Sequence, residues 1–202
     1  MTTISQLSEL DLNASYTYAD YLSWQFNEVV ELIQGKIYVM SPAPNVKHQS
    51  ISWQLSGLLF NYFNHKPCHA FAAPFDVRLY DRRQSILTNQ DITTVVQPDI
   101  CVICDDSKLD EHGCNGAPDW IIEILSKGNS KKDVHTKHAL YAECGVTEYW
   151  LVFPYEEVVQ QFILTSGNPR YQLANTFADN DLASSYLFPD FTLNLSELFT
   201  HN

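Results

Sequence analysis

The sequence predicts a mixed α/β domain, with a central sheet flanked by helices and β-hairpins near both ends of the chain. Two apolar runs with many β-branched residues, 100–104 and 120–125, are typical of strands buried on both faces of a sheet. Helical spacing of apolar residues predicts a helix over 46–64, and a second helix is expected over 131–144. Elements in this order favour a mixed sheet with helices on its faces.

Capping and turn residues place the other elements. Thr17 and Asp20 have the spacing of a capping box. Gln34-Gly35 is a hairpin turn signal between two apolar runs, and Gly145 is a suitable helix C-cap. In chain order these signals predict a helix from Thr17, a hairpin over 28–40, the helix over 46–64, strands over 71–79, 95–104 and 120–125, the helix over 131–144, a strand over 147–153 and a hairpin over 158–177.

Length, charge and cysteine content limit the class of protein. A chain of 202 residues suits one well-packed domain, so we predict a flexible segment over 1–15 and a single domain over 16–202. The net charge of −12 argues against a broad basic surface for nonspecific nucleic-acid binding. Five cysteines without framework spacing, no signal-peptide pattern and no apolar run of membrane-spanning length predict a cytoplasmic protein without membrane association.

Two acidic residues lie within the central apolar runs. Asp99 opens the first run and Glu123 lies inside the second. A carboxylate in a buried strand is costly to desolvate unless a cation, strong hydrogen bonds or a raised pKa compensates for the loss of water. Two such carboxylates, followed by a helix that carries Lys137, indicate a divalent-metal site.

The lysine of this site must come from outside the strand. Side chains alternate along a strand, so the position two residues after Glu123 that shares its face is Leu125. Lys137 is the best candidate because it lies in the following helix on one stripe with Asp133 and Tyr141. Lys127 is the next candidate.

The ordered set of these residues resembles the PD-(D/E)xK, or restriction-endonuclease-like, superfamily, and within it the Uma-type endonucleases of bacteria. The resemblance covers about 16–165, and the residues that carry it are Glu31-Leu32-Ile33-Gln34-Gly35, His48, Gln97-Pro98-Asp99, Pro118-Asp119, Glu123-Ile124-Leu125-Ser126, Asp133, Lys137, Tyr141 and Gly145-Val146-Thr147-Glu148-Tyr149-Trp150. One position departs from the superfamily pattern: Leu125 stands where a lysine is usual, and some relatives move that lysine to the following helix.

The resemblance implies a restriction-endonuclease-like fold and metal-dependent hydrolysis of phosphodiester bonds in DNA by a metal-activated water. Asp99, Glu123 and the backbone carbonyl of Ile124 would hold Mg²⁺, or Mn²⁺ as its substitute. Lys137 would orient the nucleophile or neutralise the developing charge.

Three further residues are candidates for accessory roles. Glu31 could add a carboxylate to the site, or it could be an exposed acid on the polar face of an edge strand. Gln97 could position the substrate. His48 could contact a phosphate or the metal, or it could be a polar residue at a helix start.

Other interpretations remain beside the nuclease. Glu123 and Lys137 could form only a structural ion pair, in a catalytically inactive dimeric binding or regulatory protein of the same fold. A third possibility is an enzyme that hydrolyses RNA or another phosphodiester. We predict a homodimer paired through Trp150, Phe153 and Phe162 of the terminal hairpins. Cys101 and Cys104 point to opposite faces of a strand and are expected to be buried apolar residues.

Overall fold

The α/β class is confirmed, but the strands form two six-stranded mixed sheets rather than one. The structure is a computed structural model that describes residues 4–40, 45–81, 86–126 and 131–200, without the side chains of 131–133. Within these ranges no helix combines the length and apolarity needed to cross a bilayer.

The described residues form four α-helices and fourteen strands. The helices are α1 (Tyr18–Tyr21), α2 (Val46–Phe63), α3 (Lys131–Cys144) and α4 (Leu195–Thr200). The strands are β1 (Val30–Ile33), β2 (Lys36–Val39), β3 (His69–Ala72), β4 (Val77–Arg78), β5 (Val95–Val96), β6 (Ile100–Ile103), β7 (Leu109–Asp110), β8 (Gly113–Asn115), β9 (Trp120–Ile124), β10 (Glu148–Phe153), β11 (Val158–Ile163), β12 (Gln172–Ala178), β13 (Leu182–Ser184) and β14 (Thr192–Asn194).

The strands of the two large sheets are interleaved along the chain. Sheet I has the order β2-β1-β5-β4-β8-β7, and sheet II has the order β12-β11-β10-β9-β6-β3. Strands β13 and β14 pair separately. The core on one face of sheet II packs against α2 and α4, and the core on its other face packs against α3 and sheet I.

The local signals that predicted helices and hairpins are confirmed. Thr17 forms a reciprocal capping box with Asp20, and the turn of the β1–β2 hairpin has positive φ at Gln34 (51°) and Gly35 (77°). At the end of α3, Gly145 has φ 91° and its N–H donates to the carbonyl of Tyr141. Ser130 and Asp133 have the spacing of a capping box before α3, but Ser130 and the side chain of Asp133 lie outside the described residues.

Two predicted strands are each broken at a proline. The strand expected over 71–79 is β3 and then β4, separated around Pro74, and the strand expected over 95–104 is β5 and then β6, separated around Pro98. Proline has no N–H for a ladder, so neither run can continue in one sheet. At each of these two prolines the chain passes between sheet I and sheet II, and the two crossings lie side by side, because the N–H of Ala73 donates to the carbonyl of Asp99.

Strand register explains an unpredicted disulfide. β3 and β6 pair with His69 opposite Ile103, so Cys68 and Cys104 come next in register. These two residues form a disulfide, and the prediction that Cys104 serves as a buried apolar residue is wrong. Cys101 is buried and free, as expected. The cytoplasmic location stays a prediction.

The apolar residues expected to pair two subunits belong to the core. Trp150 is fully buried in contact with Trp120, and Phe153 and Phe162 pack on the core beside α3. Trp150 is therefore not available to a partner, whereas Phe153 and Phe162 are half-buried, and the homodimer stays a prediction.

The N-terminal segment packs on sheet I over the part that is described. Residues 7–9 form a 3₁₀ helix, Leu10 is buried, and Lys36 donates to the carbonyls of Asn13 and Ala14. The division into a segment over 1–15 and a domain over 16–202 stays a prediction.

Gly113 tests the close packing of sheet I. Its φ is +117°, and an added Cβ would lie 2.3 Å from the carbonyl oxygen of Asp76. We expect Gly113→Ala to lower the free energy of unfolding by about 2–3 kcal/mol, through backbone strain and displacement of Asp76. Gly167→Ala is the matched control, because Gly167 also has positive φ (+85°) but open space around it. Urea unfolding measures both; equal losses would contradict the role of the clash.

Candidate active site

The site lies where the chain crosses between the two sheets. Asp99 immediately precedes β6, and Ile100 of β6 pairs with Ile122 of β9 in an antiparallel register. One step along this register places Asp99 opposite Glu123, on the same face of the sheet. The Oδ2 of Asp99 accepts a hydrogen bond of 2.7 Å from the N–H of Ile124. The two acids of the predicted motif are therefore brought together.

Helix α3 supplies two side chains to Glu123. Lys137 Nζ lies 3.0 Å from Glu123 Oε1, and the hydroxyl of Tyr141 donates to the same oxygen at 2.6 Å. Lys137 and Tyr141 are one helical turn apart, so both reach the sheet from one face of the helix. Leu125, at the usual lysine position, packs in the apolar core instead. Lys127 lies outside the described residues.

Glu31 is a full member of this cluster. It is only 4% exposed, and its Oε1 accepts hydrogen bonds from Lys137 Nζ at 2.9 Å and from the N–H of Gln97 at 2.9 Å. The interpretation of Glu31 as an exposed acid on an edge strand is wrong, because β1 lies between β2 and β5 in sheet I. Lys137 therefore joins one carboxylate from each sheet.

The cluster carries more negative than positive charge. Burial raises the pKa of Glu123, the charge of Lys137 lowers it, and the charges of Asp99 and Glu31 raise it again, with the result at about 7. Burial lowers the pKa of Lys137, but the charges of Glu123 and Glu31 raise it more, so the net pKa is above its ordinary value. Lys137 is therefore a permanent cation at neutral pH and not a proton acceptor.

His48 approaches the site from α2. The backbone N–H of His48 donates to Oδ1 of Asn45, the N-cap of α2, and the Nε2 of His48 lies 3.2 Å from Asp99 Oδ1. Burial lowers the pKa of His48, but the hydrogen bond to Asp99, the charges of Asp99 and Glu123 and the nearby backbone of Ile124 raise it more, so the net pKa is raised. Its Nδ1 is buried without a hydrogen-bond partner among the described residues. His48 is thus a buried neighbour of Asp99 rather than a solvated residue at a helix start.

Gln97 connects the cluster to a further acid, Asp76. Its backbone holds Glu31, and its side-chain Nε2 donates to Asp76 Oδ1 at 2.8 Å and to the hydroxyl of Tyr21 at 3.3 Å. Tyr18 also donates to Asp76, at 3.0 Å. Asp76 lies within the strand predicted over 71–79, and neither it nor the two tyrosines were predicted near the site. Only the strand break at Pro74 could have indicated this position.

The donor atoms fit a hard divalent cation. Asp99 and Glu123 supply carboxylate oxygens, and the backbone of Ile124 lies beside both Asp99 and His48. Mg²⁺ binds through one or two carboxylates and retains several waters, so it does not need a full protein cage. Across the described side chains no three His, Cys, Asp or Glu residues converge as metal ligands, so the protein atoms expected to hold the ion are two carboxylates and one carbonyl.

Comparison with known proteins establishes a shared fold and a family for the chain. A protein described as "a putative nuclease" from Anabaena variabilis has a crystal structure that superposes with a TM-score of 0.71, at 22% sequence identity, covering 92% of this chain and 98% of that one. At this identity the similarity establishes a shared fold. No curated protein matches the chain significantly. The Uma2 family, described as "Putative restriction endonuclease", matches residues 18–196, which include every residue of the candidate site. The chain therefore belongs to the Uma2 family.

Proposed function

We propose that the protein is an endonuclease that hydrolyses phosphodiester bonds in DNA with Mg²⁺, or Mn²⁺ in its place. The observation that carries the proposal is a cluster of three carboxylates with one buried ammonium group: Asp99 lies opposite Glu123 in the sheet, and Lys137 contacts Glu123 and Glu31. Such a cluster leaves negative charge uncompensated in a poorly solvated place. A divalent cation beside Asp99 and Glu123 would offset that charge.

Each side chain has a distinct role in this proposal. Asp99, Glu123 and the carbonyl of Ile124 would hold the metal ion, which when bound activates a water and offsets charge on the scissile phosphate. Lys137, fixed by Glu31 and Glu123, places a positive charge where negative charge develops during hydrolysis. Tyr141 fixes the rotamer of Glu123, and His48 fixes that of Asp99. Gln97 acts through Glu31 and Asp76 as a positioning residue.

The first test is metal-linked stability together with cleavage of supercoiled plasmid. Metal at about ten times its dissociation constant adds about 1.4 kcal/mol to the free energy of unfolding, which is about 3 °C in Tm for a chain of this size. We expect Mg²⁺ to raise the Tm of the wild type and to support nicking, and we expect neither effect in Asp99→Asn. Differential scanning fluorimetry and agarose gels measure the two effects.

Asp119→Asn is the matched control. Asp119 also follows a proline, but its Oδ2 accepts from the N–H of Cys104 at the far end of β9. The metal shift should therefore survive in this variant, whatever its baseline Tm. Loss of the shift in both variants, or in neither, would contradict a site at Asp99.

The alternative is an inactive binding protein of the same fold. It is favoured by the net charge of −12, since a nuclease must approach an anionic backbone. Metal-linked stabilisation without cleavage of DNA over a wide range of protein and Mn²⁺ concentrations would support this alternative. Cleavage of RNA but not of DNA would show that the substrate is RNA.

A further inference from the structure

The outward face of α2 carries a line of exposed apolar residues. Val46 is 84% exposed, Trp53 is 82% exposed and Phe60 is 71% exposed. They are spaced seven residues apart, which is close to two turns, so they form one stripe along the helix. We name Val46, Trp53 and Phe60 the α2 stripe.

Among the described residues the α2 stripe belongs to none of the hydrophobic core clusters. The opposite face of the helix already supplies the core, through Ile51, Leu55, Leu59 and Phe63. An aligned row of large apolar side chains in water differs from scattered exposed residues, because a contiguous patch of this kind marks an interaction surface.

We propose that the α2 stripe is a homodimer interface, in which α2 of one protomer packs antiparallel against α2 of a second copy. Charge selects this occupant. The 18 residues of α2 contain no Asp or Glu, and their one Lys or Arg is Lys47, although the whole chain carries a net charge of −12. Two copies of so acidic a chain repel each other over most of their surface, and an interface along α2 avoids that repulsion.

The pattern of large and small residues fits a two-fold axis. We place the two-fold axis at the level of Leu55 along the helix, on its outer side. In this antiparallel pair, Trp53 of each copy faces Gly57 of the other, and Phe60 faces Ser50. Around Gly57 no atom lies within 4 Å of an added Cβ, so this position on the outer face is open to a large side chain. A self-complementary surface of this kind is what a two-fold interface requires.

The exposed area of the α2 stripe is a large part of the area that a specific interface buries on each partner. An aromatic side chain can bury roughly 150–250 Å². At their observed exposures, Trp53 and Phe60 together offer roughly 300 Å² per protomer, which is half of the roughly 600 Å² per partner at the lower end of specific interfaces. Val46, which is 84% exposed, lies in the same strip of surface and adds to this area, so the α2 stripe supplies more than half of the smallest specific interface.

The interface lies on the helix that serves the active site. His48 projects from the other side of α2 towards Asp99, so a second helix against the outer face would hold His48 in place without covering it. The proposal is independent of the nuclease activity, since it concerns the opposite face of α2 and an oligomeric state.

Sedimentation velocity over about 1–100 µM tests the proposal on the full chain. We expect the wild type to sediment as a dimer of 23.1 kDa protomers and the double variant Trp53→Gln/Phe60→Gln to sediment as a monomer. Leu173→Gln is the matched control, because Leu173 is an exposed apolar residue (53%) on the edge strand β12. Far-ultraviolet circular dichroism establishes that each variant is folded.

Tryptophan fluorescence reports on the stripe itself. Of the four tryptophans, Trp53 is exposed while Trp120 and Trp150 are fully buried. Dilution through the dissociation range should shift the emission to longer wavelength, and Trp53→Phe should remove this shift. A wild-type monomer at 100 µM, or a dimer that the double variant preserves, would overturn the proposal. A monomer whose Trp53 emission responds to DNA would overturn it in favour of a nucleic-acid contact.

Discussion

Replacing Lys137 by Met is expected to reduce DNA cleavage by about a hundredfold to a thousandfold, the usual loss when a group that stabilises transition-state charge is removed. The same substitution should lower the free energy of unfolding by about 3–5 kcal/mol, because Glu31 and Glu123 lose their shared cation while both stay buried. Plasmid nicking and urea unfolding measure the two losses separately.

The loss of stability should depend on pH. The pKa of Glu123, about 7, is above its ordinary value of 4.5, so the folded protein binds a proton that the unfolded chain releases between these values. Stability from this group is therefore present below about pH 4.5 and falls as the pH rises towards 7. Lys137→Met removes the charge that holds this pKa down, so its deficit relative to wild type should be larger at pH 8 than at pH 5.

Two controls separate charge from chemistry. Lys66→Met removes another lysine–carboxylate pair, but Asp190 is exposed and solvent screens the pair, so we expect a far smaller loss of stability than in Lys137→Met. Adding Glu31→Gln to Lys137→Met removes one stranded carboxylate and should recover stability without recovering cleavage. If the double variant recovered cleavage as well, Lys137 would be only a counter-ion for Glu31 and the proposed catalytic role would be wrong.

The two acids of the candidate site stand out in the sequence because each violates a local rule. An acid inside an apolar run, as at Glu123, or at its start, as at Asp99, has no place in an ordinary buried strand. The helix bounds of α2 and α3 followed from periodicity and capping in the same way. The prediction that Lys137 and Tyr141 lie on one face of α3 required only the geometry of an isolated helix.

The division into two sheets could not be predicted, because it depends on which strands pair. Both 71–79 and 95–104 have strand composition throughout, and prolines that break them also occur in edge strands. Without the pairing of β1 with β5, Glu31 was equally compatible with an exposed edge. The disulfide between Cys68 and Cys104 could not be predicted for the same reason, because it depends on the register of β3 with β6.

Glu148 is the clearest case of a residue whose importance is visible only in three dimensions. It is fully buried at the start of β10. Its Oε1 accepts hydrogen bonds from Trp150 Nε1, Gln161 Nε2 and the N–H of Tyr186, at 2.7–2.9 Å. Its Oε2 accepts from the hydroxyl of Ser185 and the N–H of Leu187. One carboxylate therefore joins β10, β11 and the segment before β14.

We expect Glu148→Ala to lower the free energy of unfolding by about 3–5 kcal/mol, because five donors lose a charged acceptor in a dry environment. This is a large share of the 5–15 kcal/mol that stabilises a typical domain. Glu148→Gln should cost nearly as much despite its equal shape, since its NH₂ group would face two or three donors instead of accepting from them. Urea unfolding measures both variants.

Glu156→Gln is the matched control, because Glu156 is an exposed acid in the turn after β10 and its replacement should change stability by less than about 0.5 kcal/mol. Glu148 pairs in register with Trp120, whereas Glu123 pairs with Leu151 further along the same two strands. Cleavage per folded molecule should therefore be unchanged in Glu148→Gln, measured at a temperature where the variant is folded. A folded variant without activity would show that the Glu148 network also positions the site, and a cost below about 1 kcal/mol would show that water replaces the carboxylate in this core.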